Sequence, residues 1–559
     1  MVKYPNINDK DFQLKIKHIF NEFKIKKKQK KSIKDFCYHK KITFQLPQLF
    51  VAEFLNPKTP YKGILLYHRI GAGKTCAGIQ IAEKWKEYKK IILVGPASLV
   101  GNFYKELRSE CTGNIYISKD ERKILNDNEP SSKKYQDIIE IVNKRIHQYY
   151  ELYSYHKFTD LVNSKKINLK NKILIIDEVH NIISETGTFY STFKKAIDNT
   201  PSDFRIVIMS ATPIYDKPDE LGLTMNLLKP KKDFPEPDDF NKIFLDKDIT
   251  DDGIIYKLKN EELLSKLLQG YVSYYAGAPS FVFPKMKLKY VKCKMNKFQL
   301  DAYKSFVNQE KQGLFLQSTD ILKLPNSFML GGRIISNVAY PNRKFNEKGS
   351  VSFANSYLNS DNLKKFSIKF YKILKKINRC DGPVFFYSNF KEQGGIEDFK
   401  KVLDYHGYSN FLDDGIGKKR YAIWSGDENT KEKDLIRETV NSIKNEDGSQ
   451  IKIILGSPAI KEGISLLRIR QVHILEPYWN MSRIEQVIGR AVRFCSHKDV
   501  PKSDRIVDVY IYLSIVSSSS KEMSIDQQIM SLALRKKILV EEFETVLKKS
   551  SNDYYLFNK

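Results

Sequence analysis

The stretch "GILLYHRIGAGKT", Gly63 to Thr75, decides how the rest of this 559-residue chain is read. Its first half is continuously apolar and does not alternate, which is the pattern of a strand buried on both faces of a parallel sheet. Its second half is a glycine-bearing loop ending in Gly-Lys-Thr, and a helical stretch follows from about Cys76. Strand, loop and helix in that order make a phosphate-binding loop. The glycines let backbone N–H groups close around a triphosphate, and the helix N-terminus adds the positive end of its dipole. Gly71, Ala72, Gly73, Lys74 and Thr75 are therefore nucleotide-binding candidates, with Lys74 on the β- and γ-phosphates and Thr75 on Mg²⁺. One departure stands out: the loop pattern expects glycine where this chain has His68. A tight turn is the bland alternative for such a motif alone.

Similar apolar runs recur on both sides. "IILVG" (91–95), "ILIID" (173–177) and "RIVIMS" (205–210) extend the first set. A second set comprises "VFFYS" (384–388), "YAIWSG" (421–426), "IKIILGS" (451–457), "QVHILEP" (471–477) and "VDVYIYL" (507–513). Two α/β sheets in series are the economical reading. Between them, roughly 215–370 lacks strand rhythm and reads as a helical insertion and linker. A basic extension (1–43) precedes the first α/β domain (44–230). The insertion (231–370), a second domain (371–515) and an amphipathic helical tail (516–559) complete the order.

The chain carries 94 Lys+Arg against 66 Asp+Glu, a formal net charge of +28. That balance suits a polyanion, nucleic acid first; a generally lysine-rich coding background is the alternative. No run approaches the ~18 apolar residues of a membrane helix, and no signal core opens the chain, so a soluble intracellular protein is expected. The six cysteines show no C-x-x-C spacing and read as reduced thiols, neither disulfides nor a zinc site.

"ILIIDEVH" places Asp177 and Glu178 at the carboxyl end of a buried strand, the edge where open α/β sheets bind ligands. Asp177 suits the Mg²⁺ shell, and Glu178 suits deprotonation of a water attacking the γ-phosphate. An acidic helix cap would be the simpler account of either carboxylate by itself. Far downstream, "WNMSRIEQVIGRAVR" (479–493) spaces Gln486, Arg490 and Arg493 by four and then three, along one side of an expected helix. Ser482 and Glu485 make a capping box for its start. Such a row needs an anionic partner. A nucleotide bound by the first domain answers that need, with the arginines stabilising charge on the transferred phosphate; a surface ion-pair row is the alternative.

Taken together, these motifs resemble superfamily 2 helicases and translocases of the DExH type. The resemblance runs from Gln48, at the place of the adenine-reading glutamine, to about Leu513. It includes "GPASLVGNF" (95–103), "SATP" (210–213), "VFFYSNF" (384–390), "GSPAIKEGISL" (456–466) and "QVIGRAVR". The region "KEGISLLRIRQVHILEPYWNMSRIEQVIGRAVRFCSHKDVP" is similar to the poxvirus nucleoside triphosphatase I and early transcription factor small subunit branch. That branch has relatives in large cytoplasmic DNA viruses and on cytoplasmic linear plasmids. "LLQGYVSYYAGAPSFVFPKMKLKYVKCKMNKFQLDAY" has the look of the connection in Swi/Snf-type DNA translocases.

The resemblance implies two tandem RecA-like domains with ATP and Mg²⁺ between them, Gly463 joining the nucleotide site and Thr75 and Asp177 the metal site. His180, Ser210 and Thr212 would couple that site to nucleic acid. Pro96, Ser98, Asn102, Ser388, Asn389, Ser457 and Lys461 would touch phosphates. DNA is favoured as substrate, with RNA as the alternative. RNA polymerase is the implied partner, and the host cytoplasm or the virion the implied location. A non-catalytic transcription factor keeping the fold for binding is the first rival; an unrelated P-loop enzyme such as a kinase is the second.

Overall fold

The structure, a computed structural model, describes residues 3–25, 32–38, 44–69, 71–129, 132–183, 187–229, 234–250, 253–310, 322, 329–461, 464–517 and 522–557. The chain divides into two compact units. The first takes residues 1–247, 256–278 and 539–559; the second takes 248–255 and 279–538.

In the first unit, a six-stranded sheet contains β1 (Gly63–His68), β2 (Lys90–Gly95), β3 (Tyr150–Ser154), β4 (Lys172–Asp177), β5 (Arg205–Met209) and β8 (Val272–Tyr275), in the order β3-β2-β4-β5-β1-β8. Every neighbouring pair is parallel. The apolar runs around 64, 92, 174 and 207 are fully covered, because helices lie on the sheet faces and leave no solvent side to alternate toward. The strand β6 (Leu245–Thr250) pairs with β7 (Gly253–Leu258) as a separate ribbon.

The second unit holds a seven-stranded, all-parallel sheet. Its members are β9 (Lys285–Lys294), β10 (Val384–Tyr387), β11 (Ser409–Asn410), β12 (Arg420–Trp424), β13 (Ile453–Gly456), β14 (Gln471–Ile474) and β15 (Ile506–Ile515). Their order is β11-β12-β13-β10-β14-β15-β9. Two α/β units in tandem, each with a parallel sheet flanked by helices, is thus the architecture of the chain.

Three local readings need correction. The stretch 215–370 does contain strands, β6 to β9. The longest of them, "KMKLKYVKCK", lies at a sheet edge and is mostly exposed, so lysines replace the apolar run that marks an interior strand. The helix of the arginine row is shorter than its spacing suggests. It runs Met481–Ile488 and begins at Asn480, whose side chain accepts from the Arg483 N–H, so Ser482 is not its cap. Gly489 ends it, and Arg490 and Arg493 lie in the turns beyond. Finally, Cys76 and Cys111 are joined as a disulfide, with Cα atoms 5.9 Å apart, not reduced thiols. Their separation of 35 residues carries no sequence signature, and packing alone brings them together. Cys293 and Cys380 are buried free thiols.

Candidate functional site

The phosphate loop leaves β1 at His68 and enters the helix Lys74–Trp85 through Gly73. Gly71 and Gly73 have φ of 83° and 65°, left-handed values at which an L side chain is strained. Gly73 is also held from outside. Gln48, on the helix Leu46–Phe54, donates from Nε2 to the Gly73 carbonyl at 3.0 Å, while its Oε1 accepts from the Gln45 N–H at 2.8 Å. A Cβ on residue 73 would stand 2.3 Å from that Nε2. Gln48 is therefore part of the loop's scaffold, and each end of its amide keeps capacity for one further bond. Ala72 is buried, and Thr75 lies in the first helical turn, partly exposed.

Lys74 crosses to the end of β4. Its ammonium lies 2.7 Å from Glu178 Oε1 and 3.4 Å from Asp177 Oδ1. Burial opposes the lysine charge, but the two carboxylates outweigh it and its pKa is raised. Burial pushes Asp177 up, with Lys74 pulling the other way. Glu178 adopts a left-handed backbone (φ 51°), and its N–H donates to Asp177 Oδ1 at 2.9 Å. The Tyr155 hydroxyl donates to the carbonyls of both acidic residues. This strained, over-determined corner aims the two adjacent carboxylates at one ammonium.

A chain of contacts leads away from Glu178. His180 Nδ1 is 3.5 Å from Glu178 Oε2 and 3.3 Å from Ser210 Oγ, and Ser210 Oγ accepts from the Thr212 N–H at 3.1 Å. The three residues read as couplers thus form one path, with the His180 ring stacked on Tyr215.

The donor set suits Mg²⁺, which prefers hard oxygens and keeps several waters. Thr75 offers a hydroxyl. Asp177 offers the oxygen that neither Lys74 nor the Glu178 N–H engages. Among the described residues no cluster of three or more His, Cys, Asp or Glu forms a self-sufficient metal cage.

In the second unit, Arg490 approaches the Ile464 carbonyl at 3.5 Å. Burial lowers the pKa of Arg493, and no acid among the described residues pairs with its guanidinium. Gln486 is partly exposed on the short helix. Gly463 and the side chain of Lys461 fall outside the described residues.

The candidate phosphate contacts separate into two groups. Pro96 is the N-cap of the helix Ala97–Leu107, and Ser98 and Asn102 lie one turn apart on its exposed face. Ser388 is instead fully buried and donates to Glu476 Oε2 at 3.0 Å. Asn389 binds the same carboxylate with its side chain at 3.1 Å. Ser457 is buried as well, its hydroxyl accepting from the Ala459 N–H at 3.3 Å. Sequence reasoning missed Glu476, whose pKa burial raises and which also accepts from Asn337 at 3.1 Å. The signal was a carboxylate ending the apolar run "QVHILEP".

A phosphate loop after β1, an acidic pair at the end of β4 in the same sheet, with β5 between the two strands, and a second α/β unit define a P-loop nucleoside triphosphatase of the helicase class. Comparison with known proteins places it further. Residues 24–346 match the SNF2-related domain, and residues 369–495 match the helicase conserved C-terminal domain. A protein of Acanthamoeba polyphaga mimivirus with the provisional name ATP-dependent RNA helicase is 48% identical over all of this chain and 96% of its own length. An uncharacterized helicase of the Kluyveromyces lactis killer plasmid pGKL-2 is 25% identical over 86% of this chain and 65% of its own. The termination factor NPH-I homolog of African swine fever virus is 25% identical over 88% and 76%. The chain belongs to the SNF2-related family of superfamily 2 helicases, within its viral and plasmid branch, and is an ATP-hydrolysing, nucleic-acid-dependent enzyme of that class.

Proposed function

We propose that this enzyme couples ATP hydrolysis to movement along nucleic acid, DNA in preference to RNA, during cytoplasmic transcription of a viral or plasmid genome, with RNA polymerase as its protein partner. The observation that carries the reading is the Lys74–Glu178–Asp177 constellation at the mouth of the phosphate loop. The net charge of +28 supports a polyanionic track. The termination-factor name of the swine fever relative supports transcription, and the RNA-helicase name of the mimivirus relative keeps RNA as the competing substrate.

In this reading Lys74 exchanges its carboxylate partners for the β- and γ-phosphates. Glu178, released from the ammonium, accepts the proton of the attacking water. Thr75 and Asp177 would hold Mg²⁺, which neutralises phosphate charge when bound. Arg490 and Arg493 donate to the transferred phosphate, and Gln486 orients the water or the γ-phosphate; arginines in this role elsewhere contribute ~10³–10⁵ in rate. The path Glu178–His180–Ser210–Thr212 reports the state of the site toward nucleic acid. Ser98 and Asn102, exposed on one helix face, are the best-placed phosphate contacts.

The test is ATP hydrolysis by the purified protein alone and with single-stranded DNA, duplex DNA and RNA, beside Glu178→Gln and Arg493→Ala. Stimulation by duplex DNA, abolished by both substitutions, is the expected result. ATP binding without hydrolysis under every condition, including added cognate polymerase, would favour the rival, a factor that keeps the fold for binding only.

A further inference from the structure

The residue that breaks the phosphate-loop pattern, His68, sits in a buried polar chain that the ATP site as described above does not use. Its Nε2 lies 2.9 Å from Ser273 Oγ on β8, and Ser273 Oγ in turn donates to Asp553 Oδ2. All three side chains are fully buried. Asp553 Oδ1 also accepts from the Tyr274 N–H at 2.9 Å, so the carboxylate is held at both oxygens. Asp553 belongs to a C-terminal segment bound along β8, where the Asn552 N–H donates to the Val272 carbonyl at 2.7 Å and Asn552 Oδ1 accepts from the Gly270 N–H at 3.1 Å.

Hydrogen-bond polarity along this chain is dictated from its far end. Burial raises the Asp553 pKa to about 6, against the Ser273 and Tyr274 hydrogen bonds; above that pH the ionised carboxylate only accepts, so Ser273 spends its single proton on Asp553. The hydroxyl can then only accept from His68, which places the imidazole proton on Nε2. Burial together with the Lys74 charge holds the His68 pKa down to about 3, so the ring is neutral and Nδ1 is a bare lone pair. That Nδ1 is buried and has no hydrogen-bond partner among the described residues. Among the described residues, the Lys74 ammonium is the cation whose charge acts on the ring.

We propose that Asp553, acting through Ser273, is a positioning residue for the ATP site: it fixes His68 as the Nε2–H tautomer, so that the first residue of the phosphate loop keeps a bare acceptor nitrogen, never a second donor, within the field of the Lys74 ammonium. The C-terminal segment would thereby be a working part of the nucleotide site. This rests on the reading of Lys74 as the phosphate-binding lysine.

Asp553→Asn tests it with almost no change of shape. With Oδ1 still accepting from Tyr274, the new amide nitrogen falls opposite Ser273 and donates to it. Ser273 then donates to His68, and the imidazole proton moves to Nδ1, where it opposes the ammonium. The expected result is a transfer of the His68 proton from Nε2 to Nδ1 in ¹⁵N-histidine NMR, with the signal assigned by its loss in His68→Asn. The ATP Kd, read by titration, should rise roughly tenfold, the order set by one mismatched buried donor. kcat at saturating ATP should stay within about twofold, because the reacting groups are untouched.

Ser273→Ala disconnects the relay, so Asp553→Asn in that background should add nothing, whereas purely structural losses would add. An unchanged tautomer in Asp553→Asn, an unchanged ATP Kd with the tautomer moved, or additive effects in the double variant would each overturn the proposal. Failure of the wild-type protein to bind ATP would instead count against the nucleotide-site reading, which the NMR arm does not depend on.

Discussion

Gly73→Ala offers a quantitative test of how the phosphate loop is held. Two effects combine at this residue. Its φ of 65° lies in the left-handed region, which costs an alanine about 1–2 kcal/mol. The added Cβ would also stand 2.3 Å from Gln48 Nε2, a distance that cannot persist, so Gln48 must swing away and lose its 3.0 Å bond to the Gly73 carbonyl. A neutral hydrogen bond of that kind contributes about 1 kcal/mol. The sum, about 2–3 kcal/mol, falls on the loop geometry that nucleotide binding requires, and corresponds to a roughly 30- to 150-fold weaker ATP Kd. The two effects are separable in a cycle with Gln48→Ala. Without the glutamine there is no clash and no bond left to lose, so Gly73→Ala should cost only its backbone share, leaving a coupling of about 1 kcal/mol. ATP titration of the wild type, both single variants and the double variant measures it, with thermal melting as a control for folding. A Gly73→Ala penalty that is the same with and without Gln48 would refute the assignment of Gln48 as the loop's brace.

Two further outcomes concern stability. The Glu220 carboxylate accepts from the N–H groups of Tyr215 and Asp216 at 2.6 and 2.9 Å, yet burial, with Asp216 and Asp219 nearby, raises its pKa to about 8. A carboxyl group whose folded pKa is raised contributes stability below its unfolded pKa and loses that contribution as pH climbs through the folded value. Denaturant melts of the wild type should therefore weaken from about pH 4.5 to 8 relative to Glu220→Gln, which lacks this slope; parallel curves would contradict it. The Cys76–Cys111 bridge spans 35 residues, for which chain entropy gives about 3–4 kcal/mol. Reduction, or Cys76→Ser with Cys111→Ser, should lower the melting temperature of the ATP-binding unit by several degrees, and no change would show that the bridge adds nothing.

Sequence alone determined the class of this protein, because the signals involved are local. A non-alternating apolar run states that a strand is covered on both faces, and Gly-x-Gly-Lys-Thr after such a run states where a phosphate goes. An acidic pair ending another run states which edge of the sheet does chemistry. Residues 63–68, 91–95, 173–177 and 205–209 could be read as strands for that reason. Strand β9 could not, since a lysine-rich edge strand buries too little to leave an apolar run. Spacing also misled at Arg490 and Arg493, where periodicity persists past the glycine that ends the helix.

Only the tertiary structure decided what each side chain faces. Gln48 braces Gly73, 25 residues away, and Glu178 meets Lys74 across 104. Ser388, a plausible surface contact by its motif, is turned inward because Glu476 must be satisfied where it is buried. The same holds for Asp553, which reaches Ser273 across 280 residues and, through it, the first position of the phosphate loop. The physical reason is common to all of these. Backbone form follows from neighbours in the chain, whereas hydrogen-bond partners, burial and the protonation they impose arise only once distant segments share one solvent-free space.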